Sequence, residues 1–225
     1  VLFDFFCCQG GASKGYADAG FCVAGGDLEP QPRYPFEFLQ SDAIRDFDAL
    51  IEIYRPAVVV GSPPCQGYSA AQVIQGREHP KLISQFRDRC KASGLPYVIE
   101  NVEGARDELI APERLCGLMF GLQTDRHRLF ETGGGFSLSV PEHPRPGAQS
   151  REDHRDMPKT KMGRPFVDGE LRQYVGNFHG PAAARVDLGV PWMNRDGIRE
   201  CIPPIYAEYV GRQLLAHLNL ARAVA

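Results

Sequence analysis

No stretch of 18 consecutive apolar residues occurs in the 225-residue chain, which excludes a hydrophobic membrane-spanning helix. There is no C-x-x-C pair and no paired Cys/His spacing, so the spacing predicts no zinc or other metal site. The seven cysteines are odd in number, which together with the missing pairs points to free thiols in a reducing compartment. Cys22, Cys90 and Cys116 sit in apolar surroundings and are read as small core residues. The opening VLFDFF lacks an initiator Met and a basic leader, and reads as a trimmed terminus that begins directly in a strand. Internal repeats are absent, and so is any excess of positive charge: the net charge is −3.

What is present is an ordinary globular composition, 43% hydrophobic and 24% charged, in a chain long enough for one core with a sizeable insert. Charge is unevenly spread. Residues 1–60 hold four Lys/Arg against nine Asp/Glu, and the remainder holds 21 against 19. MPKTKMGRPF (157–166) carries Lys159, Lys161 and Arg164 and no acid. A polyanion would therefore meet the later half, and a solvated loop is an equal reading of the same charges.

The first half alternates apolar runs with helical patterns: VLFDFF, FCVAGGD, FEFLQSD, PAVVVGSPP and LPYVIENV as strands, with helices between them, the first capped by Ser13 and the last spanning Pro80 to Ser93. Strands apolar on both faces, alternating with helices, predict an α/β fold with a doubly wound, mostly parallel sheet. Residues 1–132 would form the core. The Gly-, Pro- and charge-rich stretch 133–181 reads as a small loop-rich region. Residues 182–225 would return to the core through a closing helix started by Pro203 and Pro204, with Ile205, Tyr209, Leu214 and Leu218 near one face.

In such sheets ligands bind beyond the carboxyl ends of the strands, and the unusual residues fall there. Gly10 and Gly11 follow strand one, where glycine permits close backbone approach to a ligand. Asp27 ends strand two, placed for a ribose diol, and Asp42 follows strand three, placed for an adenine amine. Singly each carboxylate is better explained as a cap or surface group; together, at successive strand ends, they favour an adenosyl cofactor. Cys65 follows strand four between Pro63-Pro64 and Gln66-Gly67, a thiol on a constrained turn at the ligand edge. Glu100 ends the buried fifth strand, where desolvation raises a carboxyl pKa, and Asn101 follows it. Arg126 and Arg128, two apart on an extended segment, share a side, with His127 and Leu129 opposite.

The order Asp-x-Phe-x-x-x-Gly-Gly, Pro-Cys-Gln, Glu-Asn-Val, Arg-x-Arg and Ile-Pro-Pro resembles the cytosine-C5 DNA methyltransferase family over residues 1–132 and about 186–215. The resemblance implies an S-adenosylmethionine-dependent methyltransferase of Rossmann-like fold in which Cys65 attacks C6 of a flipped-out cytosine, Glu100 protonates N3 and Arg128 holds O2. It implies that Arg126, Pro64, Gln66 and Asn101 complete the catalytic set. Phe6, Gly10, Gly11, Asp27, Leu28, Asp42, Ala43 and Pro63 would hold S-adenosylmethionine. Ser69, Lys159, Lys161 and Arg164 would contact double-stranded DNA, at a short site because the recognition region is small. The expected protein is a monomer in the cytoplasm of a bacterial or phage-infected cell, without metal or membrane partner. Cys8 stands where the family has Gly, Thr124 where Gln is common, and Glu200-Cys201 where small or polar residues precede Ile-Pro-Pro. Other readings are an RNA methyltransferase on the same scaffold and a silent nucleic-acid-binding relative. A cysteine hydrolase is less well supported, since His79 and His127 show no evident geometry with Cys65.

Overall fold

The computed structural model describes residues 1–68, 79–144, 170–174, 178 and 180–224. Seven strands form one sheet: β1 Leu2–Phe5, β2 Val23–Asp27, β3 Glu37–Gln40, β4 Val58–Gly61, β5 Tyr97–Asn101, β6 Glu113–Leu115 and β7 Arg128–Gly133, in the order β3-β2-β1-β4-β5-β7-β6. β1 to β5 pair in parallel, and β7 runs antiparallel to both β5 and β6. β1, β4 and β5 are buried along their whole length, as apolar runs covered on both faces must be.

The period-2 alternation of side chains distributes each strand between two cores. Leu2, Val58, Val60 and Val98 face α1 (Gly11–Ala19) and the closing helix, while Phe3, Phe5, Val59 and Ile99 face α2 (Phe47–Tyr54) and α3 (Ile83–Ser93). Two short helices, α4 (Pro181–Leu188) and α5 (Arg195–Glu200), precede the closing helix α6 (Pro204–Val224). A third apolar cluster joins Tyr174 and Phe178 to Ala184, Leu188, Met193, Ile198 and Cys201.

Three expectations are corrected. Ser13 does not cap α1. The cap is Gly10, in the left-handed conformation, and Ser13 is buried one turn in, donating to the Asp4 carboxyl and accepting from the Tyr34 hydroxyl at 2.8 Å. Cys22 is exposed, because it sits between the end of α1 and the first residue of β2; Cys90 and Cys116 are buried. The buried face of α6 runs through Tyr206, Ala207, Val210 and Leu214, with Ile205, Tyr209 and Leu218 on its flank, because the helix is met by α1 as well as by the sheet.

The α1–α6 contact is closer than ordinary side chains allow. A Cβ at Gly15 would lie 2.0 Å from the Pro204 carbonyl oxygen and 2.7 Å from the Glu208 nitrogen. Both are backbone atoms that cannot swing aside. Gly15→Ala should therefore destabilise the fold by about 2–3 kcal/mol, read as a lower urea midpoint at unchanged m value. A loss under about 0.5 kcal/mol would show that the two helices are not locked at this point.

Candidate active site

A cavity of about 390 Å³ lies beyond the carboxyl ends of β1, β2, β4 and β5. At one end it is lined by Asp27, Leu28, Asp42 and Ala43, in the middle by Phe6, Gly11 and Pro63, and at the other end by Pro64, Cys65, Gln66, Glu100 and Arg128. Three of the residues expected there stand behind the wall. Gly10 caps α1. Asn101 sits beneath the Cys65 turn, its Nδ2 donating to the Pro63 carbonyl at 2.8 Å while its Oδ1 accepts from the Val102 N–H at 2.9 Å. Arg126 donates from Nη2 to the Arg199 carbonyl, tying the segment before β7 to the end of α5. Ser69, Lys159, Lys161 and Arg164 lie outside the described residues.

The turn after β1 is built on unusual backbone. Phe6 and Cys8 both have positive φ, +58° and +47°, which costs a non-glycine residue about 1–2 kcal/mol. Cys8 thus occupies a conformation that a glycine would adopt freely. Cys7 is buried and Cys8 lines the cavity; neither belongs to β1, which ends at Phe5. The Cys8 N–H donates to Asp27 Oδ2 at 2.9 Å, and the Glu29 N–H donates to Oδ1 at 3.1 Å, so both Asp27 oxygens are aimed by backbone amides. Asp42 Oδ1 accepts from the Ile44 and Arg45 amides, which hold its carboxyl below the usual carboxylate range. Asp42 is therefore a turn cap and a cavity wall at once. Leu28, 60% exposed, offers an uncovered apolar face beside them. Gly11 meets the C-terminal segment: its Cβ would lie 2.6 Å from Cys201 Sγ and 2.7 Å from the Ile202 carbonyl oxygen. At this position the glycine admits another part of the chain.

At the other end, Arg128 Nε lies 2.8 Å from Glu100 Oε1, and its Nη1 donates to the His127 carbonyl at 2.8 Å. Burial raises the Glu100 pKa, opposed by Arg128, a Ser62 hydrogen bond and Arg126. Burial also pushes the Cys65 thiol up, as does Glu100, while Arg128 and Arg126 pull it down and Glu200 adds to the rise. Burial and the neighbouring Arg128 push Arg126 down to about 10. Burial is the largest influence on the sulfur, and Arg128 and Arg126 are the charges that oppose it.

Several lining residues were not assigned to the site from the sequence. Asp4, 2% exposed, is pushed up to about 7 by burial against the Ser13 hydrogen bond. Met193, Gly197 and Glu200 reach the cavity because Gln9 Nε2 donates to Asn194 Oδ1 at 2.9 Å and Trp192 Nε1 donates to the Gln9 carbonyl at 2.7 Å. These partners are separated by more than 180 residues, beyond the reach of pattern reading.

The sheet order and the placement of the cavity define a Rossmann-like methyltransferase fold. No family model matches the chain. The type II methyltransferase M.HgiGI of Herpetosiphon aurantiacus is 31% identical over 114 residues, 46% of this chain and 90% of that protein. An E. coli prophage protein described as a DNA modification methyltransferase shares the fold at a TM-score of 0.64, with 16% identity, over 97% of this chain and 99% of that one. The methyltransferase EhMeth of Entamoeba histolytica does so at 0.58, with 12% identity, over 96% and 98%. The chain belongs to the cytosine-C5 DNA methyltransferase family, whose members depend on S-adenosylmethionine.

The field at Cys65 is open to measurement. Alkylation by iodoacetamide, followed at the Cys65 peptide by mass spectrometry, should shift to lower pH in Glu100→Gln and to higher pH in Arg128→Met, each by roughly half a unit to one unit. Identical profiles in all three proteins would separate the thiol electrostatically from the other two residues.

Proposed function

We propose that the chain is a DNA cytosine-C5 methyltransferase acting through Cys65, Glu100 and Arg128. The observation that carries this reading is the convergence of those three side chains at one end of a cavity whose other end presents Asp27, Leu28 and Asp42. The cavity fits the cofactor by its donor set: two oriented carboxylates and an exposed leucine at the nucleoside end, and a thiol at the reacting end. Phe6, Gly11, Ala43 and Pro63 would complete its walls. Bound S-adenosylmethionine supplies an electrophilic methyl group.

The work of the protein is to make cytosine C5 nucleophilic enough to accept it. Cys65 Sγ adds to C6. Glu100, whose pKa burial raises, delivers a proton to N3 as the sulfur adds, so that the C5–C6 electron pair is held in a neutral enamine; once C5 carries the methyl group, loss of its proton to a base expels the thiolate and restores the ring. Arg128, fixed by Glu100 and the His127 carbonyl, donates to O2. Asn101 holds the Pro63-Pro64 bracket, so the thiol approaches from a set direction. The target base must leave the duplex to reach these groups, at a cost of a few kcal/mol. A duplex DNA target accords with membership of the cytosine-C5 DNA methyltransferase family. An RNA substrate on the same scaffold is the alternative outcome.

Purified protein should transfer labelled methyl groups to cytosine in duplex DNA and not to tRNA, and Cys65→Ser should lower the rate by at least about 10³-fold while leaving cofactor affinity unchanged. Methylation mapping should return a short or degenerate site of roughly two to four base pairs. Methylated tRNA with unmodified DNA would transfer the reading to RNA, and full activity in Cys65→Ser would remove the nucleophile.

A further inference from the structure

His127 faces away from the catalytic pair, and its neighbours there are Cys116 and His143. One ligand-type atom from each of the three, Cys116 Sγ and a ring nitrogen of each histidine, lies within 4.8 Å of the others. Cys116 and His127 are buried and His143 is half-buried. The arrangement follows from strand register. Leu115 of β6 opposes Arg128 of β7, so one step beyond the ladder Cys116 comes opposite His127. His143, ten residues past the end of β7, brings its ring edge-on to that of His127, centroids 6.4 Å apart at 82°. Pairs of Cys and His that are remote in sequence thus become neighbours, which is why the local spacing predicted no metal.

We propose that Cys116, His127 and His143 form a zinc site that fixes the Arg126–Arg128 segment. One thiolate and two imidazoles suit a borderline-soft divalent ion in tetrahedral geometry, with water in the fourth position. Zinc–sulfur and zinc–nitrogen bonds of about 2.3 and 2.0 Å set ligand atoms about 3.3–3.6 Å apart. The ligand atoms, already within 4.8 Å of one another, need to approach by no more than about 1.5 Å to reach that spacing. Asp125 is buried next to His127 and its charge acts on the Cys116 sulfur, offsetting the net positive charge of the loaded site. The surroundings are rigid: the Tyr206 hydroxyl of α6 donates to the Arg126 carbonyl at 2.6 Å, and Gly117 packs against the Thr124 carbonyl, where a Cβ would come to 2.4 Å. A metal at His127 would lock the residue between the two arginines. Through His143 it would also fasten the chain leading out of β7. This positioning role rests on the proposed function; the metal site itself does not.

Untagged full-length protein, reconstituted with Zn²⁺ and dialysed, should retain about one zinc per chain by mass spectrometry, as should His217→Ala, a control in the closing helix. Cys116→Ser and His143→Ala should each retain less than about one-tenth as much. With Co²⁺ in place of zinc, the wild type should show a sulfur-to-cobalt charge-transfer band that Cys116→Ser lacks. Because substitution of a buried cysteine can also unfold the chain, zinc-edge absorption on the wild type gives a variant-free reading: one sulfur and two imidazole nitrogens. Substoichiometric zinc in the wild type, a zinc shell without sulfur, or undiminished zinc in both variants would overturn the site. None of these readouts involves methyl transfer, so failure of the proposed function leaves them intact.

Discussion

The contact between Glu100 and Arg128 joins the parallel and antiparallel halves of the sheet at the point where the cavity opens. Glu100 is one residue from the end of β5 and Arg128 begins β7, and the register that pairs Glu100 with Phe130 and Asn101 with Leu129 brings the two side chains together. β5 also lies beside β4, from which the Pro63-Pro64-Cys65 turn departs, and Asn101 ties that turn back to β5. A carboxyl, a guanidinium and a thiol therefore owe their mutual positions to backbone pairing and not to flexible side chains. Their charges are coupled as well: the Glu100 charge holds the thiol up and the Arg128 charge draws it down.

The other half of the cavity depends on the chain returning to its own beginning. α6 seats against α1 at Gly15, and Cys201-Ile202 fills the space left by Gly11. Gln9 is held from both sides by Trp192 and Asn194, and a Cβ at Gly197 would collide with its amide at 2.2 Å. The strained turn of Phe6 and Cys8 persists because this packing over-determines it. Glu200 enters the cavity by the same route, and burial together with Asp196 and Asp27 raises its pKa.

Much of the parallel sheet was legible because continuous apolar runs bounded by Gly, Pro and Asp leave few alternatives, and the ligand edge followed from the fold class. Glu100 stood out as an ionisable residue at the end of such a run, Cys65 as a thiol on the constrained turn that follows another, and Arg128 as one of two arginines on the same side of an extended segment. Other features were not. Ser13 reads as a cap by type, yet its partner Asp4 is chosen by tertiary contact. Cys22 has apolar neighbours in sequence and solvent in space. The closing helix reads as amphipathic, but which flank is buried depends on where α1 lies. The Cys116, His127 and His143 group exists only through the antiparallel register of β6 and β7, which no local spacing encodes.

The most direct test of the account is covalent. A duplex carrying 5-fluorocytosine at the target position leaves no C5 proton to remove after methyl transfer, so the thiol cannot depart. With S-adenosylmethionine present, the wild-type protein should form a denaturation-resistant complex, and digestion should place the nucleotide on the peptide containing Cys65. An adduct on any other cysteine, such as Cys8, or turnover of the analogue with no adduct at all, would contradict the assignment of Cys65 as the nucleophile.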